Sequence, residues 1–209
     1  MFVLTSISDL IPIDPKDFTK PTPDAIKDNI HSKYSNKVLQ QVGLCICVFD
    51  IEKISDGLIG HGSGIVYVHV DFRLLVFRPF KGEILQGRII RSDENAIKIG
   101  LEFFEDITAP APTSLFEDTT FDAKELSWVW TPEGGDGELY FDLGEVIRFR
   151  VESEEWHDRS PQAPGSEDSG KDDQPPYSLL VSMQQSGLGL TMWWDEERAE
   201  EAEQSHSPT

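Results

Sequence analysis

The sequence predicts an α+β fold that is mostly β. Residues 1–80 form an N-terminal domain, an antiparallel sheet with one main helix, and residues 81–194 form a C-terminal β-barrel of the OB type. Three observations predict it. Residues 64–77 alternate apolar and polar side chains along one long run. Residues 82–194 hold many short apolar runs with internal glycines, and little of helical period. Pro79 stands between the two patterns, where a residue without an N–H ends a ladder.

The elements follow in order. Residues 1–7 alternate and read as a strand; Pro12, Pro15, Pro21 and Pro23 then punctuate the chain. Thr22-Pro23-Asp24 reads as a helix start, with an N-cap hydroxyl, proline at N1 and an acid near the positive end of the dipole. Ile26, Ile30 and Tyr34 give that helix one apolar stripe over about three turns. Residues 38–54 are β-rich, and 44–49 are apolar on both faces, which predicts a strand covered on both sides. Cys45 and Cys47, two apart in an extended run, share a face and cannot bond to each other; they read as small buried hydrophobes.

Gly57, Gly60, Gly62 and Gly64 crowd the next turn. A phosphate-cradling loop is the sharp reading, but that motif opens a helix, whereas here Ile65 takes the place of the third glycine and a strand follows. A hairpin tip fits better, and an exposed tip of this kind can dock. In the strand that follows, Val66, Val68, Val70, Phe72, Leu74 and Val76 share one face and Tyr67, His69, Asp71 and Arg73 the other. At about 3.3 Å per residue the run would exceed roughly 40 Å, so it bends or reaches towards the next domain. The domain boundary is placed at Arg78-Pro79-Phe80-Lys81.

In the second part, strands are predicted at 82–91 and 96–101, with a turn at 92–95 between them. A short, proline-broken strand follows within 107–115. Residues 128–130 and 139–141 flank a glycine-rich turn at 133–137 and read as a hairpin insertion over 128–141. Residues 145–151 alternate, and 177–183 and 187–194 complete the strands. Glycine-kinked short strands with few helices suggest a Greek-key barrel. Residues 152–173, with 8 acids and 2 bases, read as a disordered acidic loop, and 195–209, with 6 acids and 1 base, as a disordered acidic tail.

Charge narrows the function classes. The formal net charge is -20, of which residues 1–80 carry -1 and residues 81–209 carry -19. Such a balance excludes gripping duplex nucleic acid by bulk neutralisation. No run of about 18 apolar residues occurs, so no membrane contact is expected. The N-terminus lacks a basic n-region, so it does not read as a signal peptide. Catalytic residues, metal ligands and cofactors are all expected to be absent: the five histidines are scattered, His69 and Asp71 are two ligands rather than a site, and no nucleophile–base constellation is legible. OB barrels hold single strands with stacking aromatics and basic side chains, which makes Arg88, Lys98, Phe103 and Phe104 candidates, with Arg91 nearby. The alternative is that Phe103 and Phe104 close the barrel and the bases pair with neighbouring acids.

Val76-Phe77-Arg78-Pro79-Phe80-Lys81-Gly82-Glu83 resembles the domain junction of the RNA polymerase stalk subunits, in which an N-terminal tip domain precedes an S1-type OB barrel. Two further motifs are similar to the RNA polymerase III branch. One is Trp128-Val129-Trp130 followed by Leu139-Tyr140-x-Asp142-x-Gly144-Glu145; the other is Gly187-Leu188-Gly189-Leu190-x-x-Trp193-Trp194. The resemblance implies a noncatalytic, nuclear subunit of DNA-directed RNA polymerase III. It would pair with a small helical partner subunit as a heterodimer, dock on the polymerase core and support transcription initiation alongside initiation factors, with contact to nascent or single-stranded RNA. It also implies a core-docking edge at Pro15 and at the tip bearing Gly57, Gly60, Gly62 and Gly64. The other reading that the sequence leaves is a free-standing S1-type protein that binds single-stranded RNA.

Overall fold

The computed structural model describes residues 1–132, 137–157 and 174–194. The chain divides into two compact units, Met1–Pro79 and Phe80–Thr209.

The first unit is a sheet with one helix on one face. Its strands are β1 (Phe2–Ile13), β2 (Lys37–Leu39), β3 (Gly43–Ile54), β4 (Leu58–Ile59) and β5 (Val66–Phe77), ordered β1-β5-β3-β2 with β4 also on β5. Helix α1 (Thr22–Tyr34) buries Ala25, Ile26 and Ile30 against Ile11, Ile13, Cys45 and the inward residues of β5. The alternation read in β5 is realised: Val68, Val70, Phe72, Leu74 and Val76 are all buried.

Four expectations are corrected here. β1 does not stop at residue 7 but runs through Pro12 to Ile13, because it is an edge strand on which a missing N–H breaks no ladder. The cap of α1 is Pro21, and Thr22 is already helical, with no side-chain cap bond. The run 44–49 is not covered on both sides, since Phe49 is 57% exposed. Its lack of alternation comes from bulges. The register of β3 against β5 slips at Ile46, Phe49 and Glu52, so inward positions recur every third residue: Cys45, Val48 and Ile51. The same slip pairs Cys45 with Val76 and Cys47 with Leu75, which puts the two cysteines on opposite faces rather than one. Burial pushes the Cys45 thiol up to about 11, in keeping with an inert core residue.

Two polar contacts fasten the helix to the sheet. His31 Nε2 accepts the Val48 amide at 3.1 Å. Asp9 of β1 accepts from Lys33 and from the Tyr34 hydroxyl. Burial would raise the Asp9 carboxyl, but these donors and the Leu10 amide outweigh it and hold it below its ordinary value.

The second unit is a closed five-stranded barrel. Strands β6 (Ile84–Asp93), β7 (Ala96–Leu101) and β8 (Phe104–Pro110) form an antiparallel meander. Strands β9 (Thr119–Asp122), β10 (Ser127–Trp130) and β11 (Leu139–Tyr140) form a separate small sheet, ordered β11-β10-β9. β12 (Val146–Trp156) and β13 (Tyr177–Ser182) complete the barrel, with the short β14 (Gly189–Leu190) beside β12. β12 pairs with both β6 and β13, and β13 lies parallel to β8, which closes the ring in OB order. Leu85, Ile97, Ile99, Ile107, Phe149 and Leu179 are among the side chains that fill it.

Here too the structure corrects the sequence reading. The third barrel strand begins at Phe104, ahead of 107. The insertion is three-stranded and starts at Thr119, not a hairpin confined to 128–141. Residues 152–156 are strand rather than loop: Trp156 stacks on Tyr177 with ring centroids 4.3 Å apart, and Arg150 pairs with Glu152. Residues 191–194 form a helical turn instead of a strand. The remainder of the predicted acidic loop (158–173), the tail 195–209 and residues 133–136 of the glycine-rich turn lie outside the described residues.

Candidate docking and nucleic-acid surfaces

The predicted docking residues of the first unit come together at one end of the sheet. β4 pairs Leu58 with Tyr67 and Ile59 with Val66, and the Gly60 amide donates to the Ile65 carbonyl at 2.8 Å to close the tip. Gly62 and Gly64 have φ of +81° and +70°, the left-handed region that favours glycine. A Cβ on Gly64 would sit 3.6 Å from Pro15 Cγ, so the turn at Pro15–Asp17 lies against the tip. Gly57 and Gly60 serve a different need. A Cβ at Gly57 would come within 2.5 Å of Val66 Cγ1, and one at Gly60 within 2.9 Å of the Tyr67 ring. These two glycines let the tip lie flat on β5, so replacing them disturbs the hairpin itself.

The sequence reading missed the apolar residues that this tip displays. Leu58 and Ile59 are 72% and 75% exposed. Across three strands Leu58, Tyr67 and Pro12 stand side by side, as do Ile59, Val66 and Ile13. Next to the second row a pocket of about 400 Å³ is lined by Ile13, Phe18, Ile54, Gly57 and Val66, and Phe18 is itself 52% exposed. The signal was an apolar pair inside a glycine-rich turn, which no folding requirement of a turn explains.

A Ser-His-Asp trio lies on the same sheet. Ser8 from β1 meets His69 and Asp71 from β5: the Ser8 hydroxyl donates to Asp71, and its oxygen is 2.9 Å from His69 Nε2. Asp71 thus bonds the serine itself and approaches His69 only at Nε2, at 3.9 Å. In a nucleophilic triad the carboxylate instead holds the imidazole nitrogen that faces away from the serine. Among the described residues no group of three or more His, Cys, Asp or Glu could hold a metal ion.

On the barrel, the structure separates the RNA-binding candidates. Phe104 is 6% exposed and packs on Tyr177 at 5.6 Å between centroids, so it belongs to the core and offers no face for a base. Phe103 is 42% exposed. Arg88, Arg91 and Lys98 all lie on the outer face of β6 and β7, with Arg91 directly across from Lys98. Arg88 donates to the Gly144 carbonyl at 2.9 Å, and Arg91 pairs with Asp93 at 2.9 Å. The Lys98 side chain is exposed and has no hydrogen-bond or ion-pair partner among the described residues.

The motifs of the barrel meet in one aromatic cluster. Trp130 stacks on Phe116 at 4.3 Å, and Trp193 packs on Trp130 at 5.6 Å and edge-on to Phe141 at 4.9 Å. Trp128 donates from its indole to the Asp93 carbonyl at 2.9 Å. The insertion sheet is thus pinned to the barrel by residues drawn from three separate stretches of sequence.

Comparison with known proteins follows the same division of the chain. Residues 83–194 match the family model described as RNA polymerase III subunit Rpc25, and residues 8–64 match the SHS2 domain found in N terminus of Rpb7p/Rpc25p/MJ0397. The chain is 44% identical over 205 residues to DNA-directed RNA polymerase III subunit rpc8 of Schizosaccharomyces pombe, covering 93% of this chain and 100% of that protein. It is 41% identical over 202 residues to the RPC8 subunit of Bos taurus, covering 93% of this chain and 98% of that one. With the RPC8 subunit of Saccharomyces cerevisiae the identity is 36% over 214 residues, covering 93% and 100% respectively. A tip unit and a closed OB barrel joined at Pro79, with the aromatic motifs folded into one cluster and these relatives matched along nearly their whole length, place the chain in the RNA polymerase III subunit Rpc25 family.

Proposed function

We propose that the protein is a noncatalytic stalk subunit of nuclear RNA polymerase III. It docks on the polymerase core through the hairpin tip, pairs with a small helical subunit and supports transcription initiation. The observation that carries this reading is the tip: Leu58 and Ile59 stand exposed beside an open apolar pocket on a unit of net charge -1. Such a surface is suited to another protein rather than to a polyanion. Co-purification of the tagged chain with polymerase III core subunits tests it.

Contact with single-stranded RNA, where the barrel makes it, is assigned to Lys98, since Arg88 and Arg91 are already engaged. Each phosphate contact on a single strand contributes about 0.7 to the slope of log K against log salt. Lys98→Ala is therefore expected to lower that slope by about 0.7 in a salt-titrated binding assay with single-stranded RNA, and Arg88→Ala by less. Equal slopes for the wild type and Lys98→Ala would remove RNA contact from the proposal.

A further inference from the structure

We infer that Thr22 is a modification site for a proline-directed protein kinase, and that phosphate on it blocks docking through the tip; the second half rests on the tip-docking reading above. A kinase of this class accepts Ser or Thr followed by proline, whose missing N–H suits the apolar pocket that holds the next residue. Such steps occur at Thr22, Thr131, Ser160 and Ser207, and only Thr22-Pro23 lies in the first unit. Thr22 is exposed, and its hydroxyl has no hydrogen-bond partner among the described residues. Pro21 ahead of it is extended, with φ of -55° and ψ of 134°. Neither Thr22 nor Pro23 donates a backbone bond to helix α1: the first precedes the bonded turn and the second lacks an N–H. The step can therefore be drawn out into a kinase cleft without breaking a bond that either residue donates. There the Thr22 Oγ1 attacks the γ-phosphorus of ATP, the bond from that phosphorus to the β-γ bridging oxygen breaks, ADP leaves, and the hydroxyl proton passes to the kinase's base.

What sets Thr22 apart from the other three is its place. It lines the apolar pocket beside the tip, together with Ile13, Phe18, Ile54 and Val66. Asp17 and Lys20 stand on the same rim, and Lys20 is already shared between Asp17 and Asp28. A phosphate adds about -1.5 to -2 of charge. Here it would meet an acid and an engaged cation, at the edge of a surface that docking withdraws from water. Burying such a charge without a partner opposes the contact. The fold itself has no reason to suffer, because the phosphate stands at the first residue of α1, where the helix dipole favours an anion. Docking through the tip covers this pocket, so the free chain is the kinase's substrate and the modification acts on assembly.

The test treats the purified full chain with ATP and a mitogen-activated protein kinase, maps the phosphate by mass spectrometry, and titrates the product against polymerase III core prepared without this subunit. Phosphate is expected on Thr22, with association weakened by at least about 10-fold and the unfolding temperature not lowered. Thr22→Val keeps the shape and loses the acceptor, so its treated and untreated forms should bind the core alike. Absence of phosphate from Thr22, full association of the chain phosphorylated there, or an equal loss in treated Thr22→Val would overturn the inference. The Leu58→Asp, Ile59→Asp chain separates this failure from failure of tip docking. Loss of the core by that chain, with full association of the phosphorylated one, overturns the role of Thr22 alone; core retained by both overturns tip docking as well.

Discussion

Replacing Leu58 and Ile59 together with aspartate is expected to remove the chain from purified RNA polymerase III while its own fold survives. Both side chains are already mostly in solvent, at 72% and 75% exposure, so the free protein loses little when they become polar. On docking each would be withdrawn from water, and full burial of such a side chain contributes about 1.5–3 kcal/mol. Two aspartates also bring carboxylates into an apolar contact without partners, which adds a desolvation penalty. The pair should weaken core association by roughly 100-fold or more, read as loss of co-purification at unchanged unfolding temperature. This is a cleaner probe than the neighbouring glycines. Bulky residues at Gly57 or Gly60 would collide with Val66 or Tyr67, and the hairpin would change before any contact was tested.

The second large effect is expected at Trp193. Trp193→Ala removes the ring shared by Phe116, Trp130 and Phe141, the cluster that joins the insertion sheet to the barrel. The ring lies so close over Gly189 that a Cβ there would be 2.9 Å from it, and the Trp194 indole bonds the Leu188 carbonyl at 2.7 Å to set the turn that presents it. Truncating a tryptophan in such packing costs about 3 kcal/mol. For a unit of this size that lowers the unfolding temperature by roughly 10 °C, measurable by calorimetry of the full chain. A loss below about 1 kcal/mol would mean that the insertion is held by its other contacts, the Trp128 bond to Asp93 among them.

What could be read in advance depended on how local each signal was. β5 was legible residue by residue because its own run carries no bulge, so period two survives along its length. β3 was misread because three bulges convert period two into period three, and a one-dimensional pattern cannot distinguish that from burial on both faces. Pro12 reads as punctuation in the sequence because edge position is a property of the sheet, not of the strand. β9 was missed: four residues, Thr119 to Asp122, give too short a pattern, and their order comes from pairing with β10. Glu152, Glu154 and Glu155 read as loop because charge suggested disorder, yet β13 recruits them into strand. The candidate surfaces divide the same way. Pro15 and the tip glycines could be named from sequence, but their meeting in space could not, nor could the difference between Gly57, which lets backbone approach Val66, and Gly64, which supplies a left-handed turn. Phe103 and Phe104 are neighbours in sequence and opposites in the fold, one exposed and one in the core.

A chain carried on RNA polymerase III by its hairpin tip brings the core subunits with it through purification. Affinity purification of the tagged full chain from nuclear extract, with mass spectrometry of what accompanies it, tests that most directly. The polymerase III core subunits and a small helical partner are expected with the wild type, and loss of the core subunits with the Leu58→Asp, Ile59→Asp chain. Recovery of the wild type without core subunits, or of the double variant with its full complement of them, would contradict it.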